Sequence, residues 1–316
     1  MQEAPAELTD VEVLERVRAE WDARATTATH LPVGFGSHHW RIEVAGLPRL
    51  FATYDRFGAR HDRASLTAAY AAAIELAGRG LEFVLAPQLT RSGEVLVPAA
   101  GGALSCTPWV DGEVVGEGPL TDDVTTAADI AALRRLHAAQ PPAGLPRWIP
   151  LDGVALAQRV MALPSSGPTA GPYGESARRA IAQRGDALVG WVARHTELAA
   201  AARRRPWVVT HGETHTRNQL RSGSRDGDAG RLWFVDWESV KLAPRERDLA
   251  TLVQAGHGDR VGADPDMVEL FDLEWRLAEI DEYAHWFAAP HTGTVDDRIA
   301  FEGLLDELQR GPWWPS

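Results

Sequence analysis

The stretch WVVTHGETHTRNQL, Trp207 to Leu220, decides how the rest of the chain is read. Two histidines and a glutamate within five residues invite a metalloprotease reading, and the spacing refuses it. A zincin helix reads H-E-x-x-H, with both histidines on one face and the glutamate directly after the first. Here Glu213 follows His211 by two residues, which on a helix would turn it away. The run Trp207-Val208-Val209 is β-prone, and the glycine and three threonines beyond it are poor helix formers. The stretch therefore predicts a short buried strand, a polar loop and a second short strand at residues 218–221. A loop held between two strands can aim several polar groups at one point.

Downstream, the chain turns through SGSRDGDAG (222–230) and returns as RLWFVDW (231–237), which predicts a small hairpin. Its first strand begins at Asn218 and its second ends at Asp236. With Glu213, this gathers a carboxylate, an amide oxygen and a second carboxylate around one loop. Phosphoryl transfer needs such a set: one group orients the attacking hydroxyl, and two oxygen ligands hold Mg²⁺ against the phosphates. Protein kinases carry H-x-D-x-x-x-x-N followed by D-F-G. This chain has His211-Gly-Glu213-x-x-x-x-Asn218, then Asp236-Trp237-Glu238.

Near the start, Thr9 and Glu12 form a T-x-x-E capping box ahead of a helical stripe of Leu14, Val17 and Trp21. LPVGFGSHHWRIEV (31–44) reads as a glycine-bearing turn entering an alternating strand, and AGLP returns the chain into the strand RLFATYD (49–55). A helix is expected over SLTAAYAAAIELAGRG (65–80), then three β-prone runs, EFVLAP (82–87), EVLVPA (94–99) and ALSCT (103–107). PWVDGEVVGEGP (108–119) is a connector. Beyond it the pattern is helical: Ile130, Leu133, Leu136 and His137 line one helix, and LPSSGPTAGPYG (163–174) separates the next two. A long helix from about Asp266 to Phe287 carries the stripe Leu270, Leu273, Leu277, Ile280, Ala284 and Phe287, and VDDRIAFEGLLDELQR (295–310) is a further helix. The architecture expected is α+β, with a β-rich first lobe, a hinge and a helical second lobe.

At 316 residues, with 45% apolar and 24% charged residues, the composition is that of an ordinary globular protein. The opening MQEAPAELTD lacks a secretory pattern and no apolar run approaches membrane-spanning length, so a cytoplasmic protein without a membrane partner is expected. Cys106 is the only cysteine, which excludes an internal disulfide and a cysteine-based zinc site. A net charge of −12 disfavours a nucleic-acid partner. From Asp259 to Arg310 there are 14 acidic residues against 4 basic ones. Such a run is either a solvated helix face or a surface for a cationic ligand, and charge alone does not separate the two. Lys241 is the only lysine, so any step requiring one must use it.

The segments HGETHTRN (211–218) and FVDWESVKLAPRERDLATL (234–252) resemble the aminoglycoside phosphotransferase family of antibiotic kinases. That family's signature is close to H-G-D-x-H-x-x-N followed by a strand ending I-D-W. The likeness looks strongest to the actinomycete branch containing spectinomycin- and viomycin-type phosphotransferases, and it extends over nearly the whole chain. It implies a protein-kinase-like two-lobe fold: an N-lobe antiparallel sheet with one helix at 1–104, a hinge at 105–112, and a helical C-lobe at 113–316 carrying a small catalytic hairpin. It implies roles as well. Asn218 and Asp236 would be Mg²⁺ ligands, Glu213 would stand at the catalytic aspartate's position, His211 would brace the loop, and Asp248 would receive loop hydrogen bonds. Gly34, Gly36 and Ser37 would form the loop for ATP or GTP, with main-chain groups of Ser105 to Thr107 at the base. Glu238, Glu274, Asp281 and Glu282 would supply carboxylates for a cationic, hydroxylated small molecule.

Two positions depart from the family pattern. Glu213 is one methylene longer than the usual aspartate. The N-lobe lysine that meets the phosphates is replaced by Thr53, which leaves Glu75 without its expected mate. Arg41 is the first candidate to supply the missing charge, followed by His38, His39 and Lys241. The function expected is O-phosphorylation of an antibiotic-like molecule for resistance or self-protection. Two alternatives stay open: a kinase of a primary-metabolite hydroxyl such as an amino alcohol, and an impaired pseudokinase that binds nucleotide or a small molecule. A metalloenzyme is the weakest option.

Overall fold

Alternation of apolar and polar residues along strands near the N-terminus builds a sheet with two different faces. In the computed structural model, which describes residues 1–58, 61–116, 120, 122–162, 171–223 and 230–311, the chain divides into two compact units. One comprises Met1–Arg147 with Val208–Ala243, the other Trp148–Trp207 with Pro244–Ser316. Residues 224–229 of the expected turn and residues 163–170 of the proline-rich separator lie outside the described residues.

In the first unit, β1 (Ala25–Leu31), β2 (His38–Val44), β3 (Leu47–Arg56), β4 (Val97–Ala99) and β5 (Gly102–Pro108) form an antiparallel sheet in the order β1-β2-β3-β5-β4. The expected capping box starts α1 (Asp10–Glu20), which buries Val13 and Val17 against Trp40, Ile42, Ala52, Tyr54 and Cys106. Trp40 Nε1 donates to Asp10 at 2.8 Å. Because side chains alternate, the register that puts these residues under α1 puts His39, Arg41, Phe51, Thr53, Ser105 and Thr107 on the opposite face. A second helix, α2 (Arg63–Gly78), covers one end of that face, where Leu66 and Tyr70 pack with Leu96 and Ala103.

Several boundaries differ from the sequence reading. β1 was not expected, because its Ala/Thr alternation carries little apolar contrast. α2 starts two residues before Ser65, because Asp62 caps it and Ser65 completes the capping box. EFVLAP is no strand: it makes one parallel bridge, Val84 with Phe234, flanked by Phe234 N–H to Phe83 O at 2.7 Å and Leu85 N–H to Phe234 O at 3.1 Å. EVLVPA contributes only Val97–Ala99.

After β6 (Glu113–Val114) and α3 (Asp123–His137), the chain returns to the first unit at β7 (Val208–Thr210), followed by β8 (Gln219–Ser222), β9 (Arg231–Phe234) and β10 (Lys241–Ala243). β10 pairs with β7, and the expected hairpin, β8–β9, is widened by β6 into a sheet of order β6-β8-β9. The units therefore do not follow the expected boundaries at 104 and 113. The pairing of β6 with β8 and of Phe234 with residues 83–85 draws the hairpin into the same unit as the five-stranded sheet.

In the second unit, α4 (Gly153–Ala162), α5 (Gly174–Gln183), α6 (Gly185–Ala202), α9 (Pro265–Ala288) and α10 (Val295–Gln309) enclose a core including Leu156, Val160, Ile181, Leu188, Leu277, Ile280 and Leu304. The short α7 (Ala250–Gln254) and α8 (Gly258–Val261) precede α9, whose apolar stripe is buried as its spacing predicts. Arginines, three from earlier in the unit and one from the end of the run, pair with part of the acidic run. Arg194 pairs with Asp266 and Glu269, Arg159 with Asp281, Arg205 with Asp264, and Arg310 with Asp272. Among the described residues, no helix is long and apolar enough to cross a membrane.

α3 is fastened to β8 by a buried ion pair, Asp129 with Arg221, and Arg221 also donates to Thr125 O at 3.3 Å. Burial pushes the Asp129 carboxyl up to about 6, against the pull of Arg221. A folded pKa above the ordinary 3.8 favours the native state at low pH, and that contribution is lost as pH rises through about 6. Arg221→Ala would leave the acid buried without its cation and should cost about 3–5 kcal/mol. Because removing the arginine raises the acid's pKa further, urea unfolding should show a larger loss at pH 8 than at pH 6.

Candidate active site

β7 delivers the chain to the site, and the Thr210 hydroxyl donates to the carbonyl of Lys241 on β10 at 2.9 Å. His211, the next residue, is fully buried, with its ring against Phe234 (5.8 Å between centroids) and Trp237 (4.5 Å). Its Nδ1 accepts the Glu213 amide at 3.2 Å, and its Nε2 stands 2.8 Å from the carbonyl of Val235. A carbonyl only accepts, so the proton sits on Nε2 and Nδ1 is left to accept. One flat ring thus joins the loop carrying Glu213 to the segment entering Asp236. Gly212, between them, adopts φ 99°, a left-handed conformation in which a side chain would be strained.

The loop is closed by Asn218, the last residue of a 3-10 turn, and by Gln219, which starts β8 one residue after the expected strand start. Asn218 donates through Nδ2 to the Glu213 carbonyl at 3.1 Å, and Gln219 through Nε2 to the Thr214 carbonyl at 3.0 Å. Asn218 lies in a 3-10 turn, residues 216–218, and its own carbonyl accepts the Val235 amide at 3.0 Å. With Nδ2 spent on the loop, Oδ1 is the amide atom left for a cation. The Glu213 carboxylate accepts from the Ser239 hydroxyl at 2.7 Å. Asp236 is exposed and left-handed, φ 67° and ψ 63°, at the junction between β9 and the 3-10 turn Trp237–Ser239. Such a conformation in a non-glycine residue costs of order 1–3 kcal/mol and gathers at functional sites. Trp237, buried below, anchors the turn by donating to the Phe234 carbonyl at 2.8 Å.

Asn218 and Asp236 offer hard oxygen donors, which suit Mg²⁺. Among the described residues, no group of three or more His, Cys, Asp or Glu side chains could hold a metal ion by itself. A two-donor set is nonetheless what Mg²⁺ commonly takes when phosphate oxygens and water complete its shell, so the pair fits that use.

On the sheet, Gly34 and Gly36 have φ of 71° and 93°, and Ser37 turns its hydroxyl to Asp55 at 2.6 Å. Arg41, Thr53, Ser105 and Thr107 share one face. Arg41 is ion-paired with Glu43 at 3.0 Å, and Thr53 Oγ1 stands 3.2 Å from His39 Nδ1. Burial holds His38 down to about 4 and His39 to about 3, so neither candidate brings positive charge at neutral pH. Glu75, without a lysine opposite, pairs with Arg79.

The remaining expected residues are already engaged. Glu238 is half-buried and pairs with His61 at 3.3 Å. In the second unit, Asp248 is buried in a 3-10 turn, Arg245–Asp248. Glu274 accepts from Trp148 Nε1 and lies 2.9 Å from His195 Nε2, Asp281 binds Arg159 at 2.8 Å, and Glu282 is half-buried on α9. Sequence reasoning missed Ser239, Asp55, Tyr70 and His61. For Ser239 the only signal was its place three residues after Asp236, where a 3-10 turn brings side chains back onto one side.

Comparison with known proteins fits this geometry. The model of the phosphotransferase enzyme family APH matches residues 27–286. Protein StrN of Streptomyces griseus is 32% identical over 256 residues, covering 76% of each chain. The crystal structure of spectinomycin phosphotransferase APH(9)-Ia with ADP and spectinomycin superposes with a TM-score of 0.71, at 12% identity and 94% coverage of both chains. A microcompartment-associated aminopropanol kinase gives 0.57, at 15% identity and 95% coverage of both. The fold is thus the protein-kinase-like one of aminoglycoside phosphotransferases, as the sequence led us to expect.

Because His211 serves both loops, His211→Ala should lower the unfolding free energy by about 2–4 kcal/mol. Nitrogen NMR of the wild-type protein should find its proton on Nε2.

Proposed function

The chain belongs to the APH phosphotransferase enzyme family and is a kinase with an alcohol group as acceptor; from that premise we propose that it moves the γ-phosphate of ATP or GTP to a hydroxyl of a cationic, antibiotic-like small molecule. The observation that carries this reading is the fastening of Glu213, Asn218 and the segment entering Asp236 around one imidazole. Glu213, steadied by Ser239, orients the acceptor hydroxyl and takes its proton as the oxygen bonds to the γ-phosphorus and the bond to the departing nucleoside diphosphate breaks. The extra methylene of glutamate is compatible with this role, because a loose transition state asks the base chiefly for orientation. Asn218 Oδ1 and the Asp236 carboxylate would hold Mg²⁺, which when bound neutralises charge on the phosphates.

In this reading residues 1–104 take the nucleotide. The turn carrying Gly34, Gly36 and Ser37 offers main-chain amides to the phosphates, with Arg41 and Thr53 on the adjoining sheet face and the segment from Ser105 to Thr107 at the base. Arg41 would share its charge between Glu43 and a phosphate. Carboxylates at Glu238, Glu274, Asp281 and Glu282 would draw the ammonium groups of the acceptor, which would share Glu238 with His61, Glu274 with His195 and Asp281 with Arg159. Asp248 would support the loop. We place the enzyme in the cytoplasm, where nucleoside triphosphates are abundant, in resistance or self-protection.

A second reading, a pseudokinase that binds nucleotide without turnover, draws on the lack of a lysine at Thr53 and the neutral histidines beside it. The deciding assay is ATP and GTP consumption with Mg²⁺ against aminoglycosides, aminocyclitols, cyclic basic peptides and amino alcohols. Turnover with one of the antibiotic classes, lost by about 10²–10³-fold in Asp236→Ala, is the expected result. Turnover with amino alcohols alone would move the substrate to primary metabolism, and binding without turnover would favour the pseudokinase. With an acceptor in hand, Ser239→Ala should lower kcat about tenfold and leave the KM for nucleotide unchanged.

A further inference from the structure

A lysine at Thr53 would have tied β3 to α2 through Glu75, and neither residue is used that way here. β3 is nevertheless fastened to α2 two residues further on. Asp55, on the same face as Thr53, is 2% exposed, and its two carboxylate oxygens accept from different elements. Oδ1 accepts the Ser37 hydroxyl at 2.6 Å, and Oδ2 accepts the Tyr70 hydroxyl at 3.1 Å. Ser37 closes the turn that holds Gly34 and Gly36, and Tyr70 is buried on α2.

We propose that Asp55 is a positioning residue for the phosphate-binding turn, holding residues 34–37 at a fixed height over the sheet in place of the absent lysine–glutamate link. The inference rests on the reading of that turn as the nucleotide's. A bond serving only to pin α2 to the sheet would need Tyr70 alone. The bond to Ser37 reaches outward instead, to a turn whose residues 32–36 are exposed, and a side chain added at Gly36 would meet nothing within 4 Å. Packing from the sheet reaches the turn at Gly34, where an added side chain would meet His39 at 3.1 Å, and not at Gly36. The amino group of Met1 also reaches its carbonyls, at Val33, Gly34 and Ser37. Asp55 is the contact that holds it from inside the sheet. A carboxyl has two oxygens, so one side chain can meet both hydroxyls at once. Burial pushes the Asp55 carboxyl up, while Ser37, Tyr70 and His61 pull it back toward ionisation. The link supplies mechanical position and no positive charge, so it replaces only half of what a lysine would do.

The test compares Asp55→Asn, Ser37→Ala and Tyr70→Phe with the wild type, by hydrogen exchange over residues 32–38 without nucleotide and by Mg·ATP binding and kinetics. Ser37→Ala lies on the half-exposed turn and keeps the test open if Asp55→Asn fails to fold. Faster exchange of the turn and an ATP KM raised about five- to tenfold in Ser37→Ala, with acceptor KM and kcat within about twofold, is the expected result. Tyr70→Phe should move the melting temperature more than the ATP KM. If Ser37→Ala exchanges and binds ATP as the wild type does, or if Tyr70→Phe raises the ATP KM as much without loosening the turn, the inference is overturned. If the wild type itself binds no nucleotide, the nucleotide reading fails and the inference falls with it.

Discussion

The imidazole of His211 is the point on which the site's geometry depends. The Glu213 amide needs an acceptor and the Val235 carbonyl needs a donor, and the ring that meets both is fully buried. A neutral imidazole offers both functions at opposite edges of one rigid ring, and Phe234 and Trp237 hold that ring in place. Val235 is then fixed at both of its main-chain groups, its amide by the Asn218 carbonyl and its own carbonyl by His211. Asp236 can stay left-handed because the residue before it has no freedom to relax and Trp237 anchors the turn after it. The strain at Asp236 is offset by hydrogen bonds that all converge within one short hairpin.

How far this was legible in the sequence follows from how local each cause is. The spacing of His211, Glu213 and Asn218, and the β-prone run before Asp236, are short-range patterns, and the hairpin they imply is present, although its second strand ends at Phe234, two residues before the expected Asp236. The Thr9–Glu12 capping box and the stripe of α9 were legible for the same reason. β1 was hidden because alanine and threonine give little contrast between faces, and its pairing with β2 decides it instead. The acidic run looked like one feature because arginine partners such as Arg159 and Arg194 are more than 70 residues away in sequence. Ser239 and Asp55 act through bonds that span 26 and 18 residues, which no window of sequence shows.

The same contrast explains why the compact units cut across the chain order. A hairpin of two four-residue strands has too little core of its own, and its neighbours complete it. β6 supplies an edge, Phe83 to Leu85 supply main-chain partners for Phe234, and Asp129 reaches in from α3 to meet Arg221. The loop carrying Glu213 is thereby built on the unit that also contains the five-stranded sheet, so Asn218, Asp236 and the glycine turn belong to one compact body.

That arrangement bears on how a triphosphate's charge would be met without a lysine. Burial raises the pKa of the Tyr70 hydroxyl, and Asp55, Glu238 and Asp236 add to the rise, so three carboxylates lie near the region under the sheet face. The histidines on β2 are held neutral by burial and Arg41 is shared with Glu43. A polyanion entering such a field gains little from side-chain charge at the sheet. In the proposed reading its affinity would come from oriented main-chain amides, whose dipoles remain effective only while the turn keeps its shape, and from a divalent cation that Asn218 and Asp236 would hold. Losing the lysine therefore places greater demands on rigidity. A buried carboxylate that fixes the turn from below is one physical answer to that demand.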